Sequence, residues 1–413
     1  VTTSVEPPGA LAPLRHRDFR WLLGGRFANF LGNAIAPVAL AFAVLDLTGS
    51  VSDLGLVVGA RSATNVALLL FGGVVADRLP RAMVLRGSAV AAAITQAAVA
   101  ALVLTGTATV GLLMLLSAVN GAVAAMAFPA SAALTPQTVP AAVVRQANAV
   151  LRLAINSATV GGAAIGGALV AAVGPGWGIA VDAATFAVSA VCFAMIRVPD
   201  VPRVAEESTS TLAQLREGWG EFVSRQWVWV VVLMAMAGNA AYTGGVVVLG
   251  PAVADASFGR RGWGLALAVG TVGMVVGGLI ALRWQPRYAL RWGTALGLTW
   301  ALPLLALGVS PSWAVVAATM FLAGFALEQF GIAWDVSLQQ HVPPDRLARV
   351  YSYDAVGSFV AIPLGEVAVG PLASRLGLEP TLIGCAAVVL VAVGAALCSR
   401  SVRSLARVDV HAG

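Results

Sequence analysis

Apolar runs of about twenty residues recur from one end of this chain to the other, and that recurrence limits what it can fold into. A helix needs roughly 20 apolar residues to cross a bilayer of ~30 Å hydrocarbon, where every backbone N–H and C=O must be paired inside the segment. Taking runs bounded by charge, Gly/Pro clusters or short polar turns gives twelve spans, at 19–46, 52–77, 82–104, 109–129, 145–173, 176–197, 226–254, 261–283, 288–307, 312–335, 346–373 and 378–399. Only 11% of the residues are charged, against about 25% in a soluble domain. The expected class is an all-α integral membrane protein. Val1 to Arg20 has no apolar core followed by a small-residue cleavage site, so no cleaved signal peptide is expected and the first span stays in the membrane.

The net charge of +6 comes entirely from arginine, for the chain has no lysine. Without lysine there is no Walker A loop, Schiff-base chemistry or lysine nucleophile, which argues against ATP-driven transport by this polypeptide alone. Cys192, Cys385 and Cys398 fall in apolar runs without CxxC spacing and read as packing or lipid-facing residues. His16, His341 and His411 lie in polar segments, so no metal site and no cofactor is expected. No DDxxD, HExxH or GxSxG pattern supports the alternative of a polytopic membrane enzyme.

Arginine placement orients the spans. Arg15, Arg17, Arg20, Arg78, Arg81, Arg86, Arg145, Arg197, Arg203, Arg216, Arg225, Arg283, Arg287, Arg291, Arg346, Arg349, Arg400, Arg403 and Arg407 fall on one side, and only Arg260, Arg261 and Arg375 on the other. The positive-inside rule makes the first side cytoplasmic, with both termini inside. The longest connection, about Pro199 to Arg225, divides the chain into an N-terminal six-helix half (1–198), a linker (199–225) and a C-terminal six-helix half (226–413). Leu212, Leu215, Trp219 and Phe222 recur at helical spacing opposite Arg216, Glu217 and Glu221, which suggests an amphipathic helix on the membrane surface.

The halves echo each other. Gln137, Val139 and Pro140 return as Gln340, Val342 and Pro343, and Gly162, Gly167 and Gly174 as Gly365, Gly370 and Gly377, each pair 203 positions apart. Duplicated six-span units related by an axis along the membrane normal build a transport site between two rocking halves.

Residues 71–86, FGGVVADRLPRAMVLR, leave the membrane, turn and re-enter. Gly72 and Gly73 allow close helix approach. Asp77, at the helix end, can accept hydrogen bonds from a loop arginine or a helix N-terminus, and with Arg78 and Arg81 forms a candidate inside latch. Gly162 and Gly166 have GxxxG spacing and, with Gly167, mark a tightly packed helix beside the outer gate. Ionisable residues inside spans are costly, about 2.5–3.5 kcal/mol at the bilayer centre, so they should face a cavity or a partner. The candidates are Arg26 (with Asn29 and Asn33 on nearby turns), Arg61, Arg152, Asp182, Glu328 and Glu366. Arg61 and Glu366 are deepest, whereas Arg152 and Asp182 stand near span ends and are expected to reach the interface. A carboxylate in a low-dielectric cavity can exchange a proton as its surroundings change, which suits Glu366 or Glu328, and a structural ion pair with an arginine is the other reading. Trp21, Trp177, Trp227, Trp263 and Trp313 lie near span ends and read as interfacial anchors, while Trp300 and Trp334 do not.

These residues carry a family resemblance. GGVVADRLPRAMVL resembles the signature loop of the major facilitator superfamily, matching its glycine to Gly72 or Gly73, its aspartate to Asp77 and its basic positions to Arg78 and Arg81; Pro80 stands where many members have glycine. FPASAALTPQTVPAAVVRQANAVLRL, GPGWGIAVDAATFAVSA and LQQHVPPDRLARVYSYDAVGSFVAIPLG are similar to stretches of the branch that holds enterobactin exporters and macrolide-efflux proteins. Gly162, Gly166 and Gly167 match the antiporter motif GxxxGPxxGG, with Ala158 and Ala163 replacing its first glycine and its proline.

The resemblance implies twelve helices in two pseudo-symmetric halves and export of a small organic compound such as a drug, antibiotic or siderophore. Proton entry would drive it, with no other cofactor. The expected setting is a monomer in the cytoplasmic membrane, with no nucleic-acid partner. A proton-coupled importer has the same fold and is the alternative.

Overall fold

The computed structural model describes residues 11–78, 81–197, 219–284 and 286–407, with the side chains of 69–78, 81, 128–133, 344, 345 and 348 outside that description. Twelve crossings follow one another. They are α1 (Arg17–Thr48), α2 (Val51–Arg78), α3 (Arg81–Leu104), α4 (Val110–Leu134), α5 (Val144–Val173) and α6 (Pro175–Ala194) in the first half. In the second half come α7 (Gln226–Ala256), α8 (Gly259–Ala281), α9 (Ala289–Val309) and α10 (Trp313–His341). The last two are α11, made of Pro344–Phe359 and Ile362–Leu376, and α12 (Leu378–Cys398). Each expected span coincides with one crossing, and eleven of them are long and apolar enough to traverse a bilayer over their described residues. The fold is an all-α, multi-pass membrane architecture.

The turns repeat between halves. Gly174, between α5 and α6, has φ 89° and ψ 166°, and Gly377, between α11 and α12, has φ 96° and ψ 160°. Both positive φ values suit a residue without a Cβ, and these are two of the glycines spaced 203 apart in the sequence.

Two crossings depart from regular helix. In α7 a π-helical segment, Thr243–Leu249, interrupts the α geometry. Such wide turns cluster at functional sites, and this one brings Gly244 so near α11 that an added Cβ would meet the Gly365 carbonyl oxygen at 2.9 Å. In α11 the helix breaks at Val360–Ala361 and restarts with Pro363 in its first turn. Proline has no N–H to give to the carbonyl four residues back, here that of Phe359, so the break falls where the ladder loses a rung. The sequence reading took 346–373 as one continuous helix; Pro363 was the signal that it is two.

Aromatic placement corrects another expectation. Trp227 and Trp263 are buried among the helices instead of anchoring at an interface. Trp227 packs edge-on to Trp334 with ring centroids 5.5 Å apart, and Trp334 donates its indole N–H to Asp354 Oδ2 at 2.9 Å. Trp177 and Trp313 keep exposed rings, as anchors do.

The described part of the linker includes a short helical stretch, 219–224. Phe222 is buried, and Trp219 and Phe222 both stack around Tyr353 of α11, at 5.6 and 5.9 Å between ring centroids. Glu221 receives Arg225 from its own helix and Arg346 from α11, so aromatic packing and a charged clamp hold this stretch on the second half. These two guanidinium groups, hydrogen-bonded to its carboxylate, hold Glu221 below the usual carboxylate range. Leu212, Leu215, Arg216 and Glu217 lie outside the described residues.

Candidate functional site

The halves meet through two helix pairs, α5 with α8 and α2 with α11, and small residues set the distance. A Cβ built on Gly167 of α5 would lie 2.7 Å from the Gly264 Cα of α8, and one on Gly264 would lie 2.5 Å from the Ala163 carbonyl oxygen. The second pair repeats the device. A Cβ on Gly370 of α11 would press on the backbone of Ser52 in α2, and one on Gly59 would lie 2.6 Å from Val367. Backbones that close pack by van der Waals contact alone, as GxxxG helices do in lipid. Gly162 and Gly166 turn to the other side of α5, where a Cβ on Gly166 would sit 3.1 Å from the Ile35 Cα of α1. The three glycines of the antiporter-like motif thus join α5 both to its own half and to the other.

These contacts sit at the late part of α5 and α11 and the early part of α2 and α8, which is the end of the bundle away from both termini. An ion cluster caps the same end. Arg260 of α8 donates through Nη1 to Asp46 of α1 at 2.8 Å and through Nε to Asp255 of α7 at 2.8 Å, its guanidinium 4.9 Å above the Phe42 ring. At the end that carries the termini, an ion pair joins the halves. Arg152 of α5 reaches Glu328 of α10 at 4.0 Å with its own side chain 80% exposed. Among the described residues, the tightest contacts between the halves are those at the loop end.

Between these levels lies a buried polar network. Arg61 of α2 donates through Nη2 to Asn33 Oδ1 of α1 at 3.3 Å, and Asn33 donates in turn to the Asn29 carbonyl at 2.9 Å. Two carboxylates act on Arg61, Asp182 from α6 and Glu366 from α11. Glu366 is 3% exposed, faces Ser62 and has an Oε2 with no hydrogen-bond partner among the described residues. Asp182 is 0% exposed. The Gln96 side-chain amide donates to its Oδ2, and Oδ1 points at Gly32, where any side chain would collide with it. The expectation that Asp182 reaches the interface is therefore wrong. Its short side chain cannot snorkel, and Gln96 together with the space left by Gly32 makes a polar niche inside the first half.

Of the other expected residues, Arg152 has an exposed side chain, Glu328 shares in its bridge at the terminal end, and Arg26 lines a pocket within the first half. Gly72, Gly73, Asp77 and Arg78 end α2 and Arg81 begins α3, but their side chains lie outside the described residues, so the latch is not tested by this geometry. Reading the sequence named Asn33 but missed Ser62 and Gln96, which also face these charges. Ser62, next to Arg61 in the sequence, carried a signal; Gln96, 86 residues from Asp182, carried none. It also missed Asp46 and Asp255, which sit at span ends where carboxylates are unremarkable.

Comparison with known proteins agrees with this architecture. The sequence matches the family model described as Major Facilitator Superfamily over residues 22–366. No curated protein matches the chain. Among solved structures, a variant of the nucleoside transporter NupG is similar with TM-score 0.77 and 16% identity, covering 92% of this chain and 99% of that one. A bacterial homolog of the human lysosomal transporter Spinster, inward-facing and unoccupied, gives 0.74 and 16%, covering 94% and 97%. A POT family transporter in complex with a thioalcohol-conjugated peptide gives 0.70 and 14%, covering 91% and 94%. At such identities the likeness is one of fold. With more than half of its length matched by the family model and twelve crossings in two paired halves, the chain belongs to the Major Facilitator Superfamily.

Proposed function

We propose that this protein exports a small organic compound, of the drug, antibiotic or siderophore kind, in exchange for protons by alternating access. It works as a monomer in the cytoplasmic membrane with both termini inside, so the closely packed loop end faces outward and the substrate enters from the cytoplasmic end. One observation carries the reading. Glu366, on the second half, is buried against Arg61 and Ser62 of the first half, with one carboxylate oxygen unpartnered. Its partners therefore belong to the half that moves away when α2 and α11 part.

When the loop end is shut, Glu366 lies buried beside Arg61 and Ser62, and its proton leaves toward the cytoplasmic side. When the halves rock, α11 carries Glu366 away from Arg61 into a wetted cleft, where it takes a proton from outside. Re-closing at the loop end then requires Glu366 to give that proton up to the cytoplasmic side. Asp182 stays with Arg61 throughout, because both are in the first half, and compensates the guanidinium while Glu366 is absent. Asp77, Arg78 and Arg81 latch the opposite end in the alternate state, and Gly162, Gly166 and Gly167 pack the gate helix. A cavity of about 200 Å³ between α7, α8, α9 and α10, lined by Tyr242, Met274, Trp300 and Met320, suits the apolar body of a substrate.

Proteoliposomes with a trapped pH-sensitive dye test the scheme against a panel of apolar antibiotics. Antiport predicts that adding a transported compound drives proton movement opposite to compound movement. Movement of both in the same direction identifies the importer instead, and no compound-dependent proton movement in any member of the panel counts against proton coupling.

A further inference from the structure

Three arginines lie inside the first half, and they differ in their company. Arg61 faces Asp182 and Glu366, and Arg152 faces Glu328. Arg26 has no carboxylate beside it among the described residues. Its Nε and Nη1 are buried and reach no acceptor among the described residues, and the guanidinium stands 5.3 Å from the centre of the Phe30 ring. An uncompensated buried cation costs several kcal/mol, and one placed in a membrane span is a functional candidate by default.

The surroundings say what would satisfy it. Arg26 lines a cavity of about 150 Å³ between α1, α3, α4 and α6, with Asn29, Asn33, Ser88 and Asn120 as polar groups and Phe30, Phe186 and Phe193 among its apolar walls. No acidic residue lines it. A guanidinium offers paired N–H donors that match two oxygens of a carboxylate or phosphate, and amide and hydroxyl groups add further donors. The cavity also borders the charge network, because Asn33 lines it and accepts from Arg61.

We propose that this pocket binds an anionic group, carboxylate or phosphate monoester, carried by the transported compound next to a compact aromatic or apolar unit. The substrate class is thus an organic anion. The inference rests on the transport reading above for its biological meaning, but the binding itself does not depend on proton coupling. With the anion seated, Arg26 gains its missing acceptors, and Asn33 relays the added negative charge toward Arg61.

Benzoate, phenyl phosphate and benzamide are suitable probes, being small and alike except in charge. Full-length protein in phosphatidylcholine nanodiscs is titrated with each by calorimetry. The two anions should bind at least about tenfold more tightly than benzamide, as expected for hydrogen bonds to a charged group. Arg26→Gln should bring the anions down to the benzamide level, and Arg26→Lys should fall between. Should Arg26→Gln fail to fold, Ala124→Leu, which fills the pocket and leaves Arg26 in place, should weaken benzoate by a similar factor. Equal binding of all three probes, or unchanged benzoate affinity in Arg26→Gln or Ala124→Leu, overturns the proposal. Adding phosphatidylglycerol to the nanodiscs separates a substrate group from a lipid headgroup. Unaltered benzoate affinity supports the substrate, and its loss assigns the pocket to lipid. Benzoate binding without proton flux would count against the coupling scheme alone, whereas coupled flux of cations with no anion binding would count against this pocket alone.

Discussion

Glu366 and Asp182 are both buried carboxylates acting on one arginine, yet the half each belongs to gives them different work. Replacing Glu366 with Gln removes the titrating group and keeps its shape, so net proton-driven transport should fall to background while exchange of labelled for unlabelled substrate persists; a vesicle counterflow assay reads both. Asp182→Asn should instead leave Arg61 without its permanent partner. A buried charge left without compensation is destabilising, so a fall in thermal stability in detergent is expected, with counterflow lost as well. Asp77→Asn should abolish turnover while leaving membrane insertion intact, and full transport by that variant would sink the latch. Arg61 and Glu366 were legible in the sequence because a charge inside an apolar run needs a reason. The depth of Asp182 was not, since burial there comes from Gln96 on α3 and the missing side chain of Gly32 on α1, both far away along the chain.

At the level of elements, periodicity and length located all twelve crossings, because a bilayer imposes one length on every helix. The irregularities were harder to see. The π turn in α7 answers to its fit against Gly365 of α11, a tertiary demand that leaves no local pattern, whereas the break in α11 was announced by Pro363. The α5–α8 seam offers a direct test. Gly264→Val places a branched side chain where even a Cβ would strike the backbone of α5. Overpacking of this kind costs about 1–3 kcal/mol, enough to move a two-state equilibrium roughly 5- to 150-fold toward the form open at the loop end. Spin-label distances across that end should lengthen accordingly. The linker helix gives a pH prediction. Since Arg225 and Arg346 hold Glu221 below its ordinary range, its clamp contributes fully above the usual glutamate pKa and is lost as pH falls through the lowered value. Hydrogen exchange of the 219–224 stretch should be unchanged from neutral pH down to the ordinary glutamate range and should accelerate only below it, once the intrinsic pH dependence of exchange is removed.

Across the whole molecule, the repeat seen in six spaced residues reappears as matched backbone at Gly174 and Gly377 and as two matched seams, α5–α8 and α11–α2. The charge arrangement does not repeat, with Arg26, Arg61 and Asp182 in one half answered by Glu328 and Glu366 in the other. The fold therefore supplies the symmetry of motion, and the side chains supply its direction. Arg260 adds the one charged fastening between halves among the described residues of the loop end; Arg260→Ala should weaken closure by no more than about 1 kcal/mol, since exposed ion pairs are weak, and a double-mutant cycle with Asp46 would measure the share of that pair. The seams have a lopsided mutational future. A surface where Gly167 meets Gly264 and Gly370 meets Ser52 has no atoms left to remove, so every inherited substitution at those glycines can only pry it apart. Lineages that need a firmer outer closure must find it at the rim, around Asp46, Asp255 and Arg260. Sequence variation among relatives should therefore be scarce along the seams and abundant at their edge.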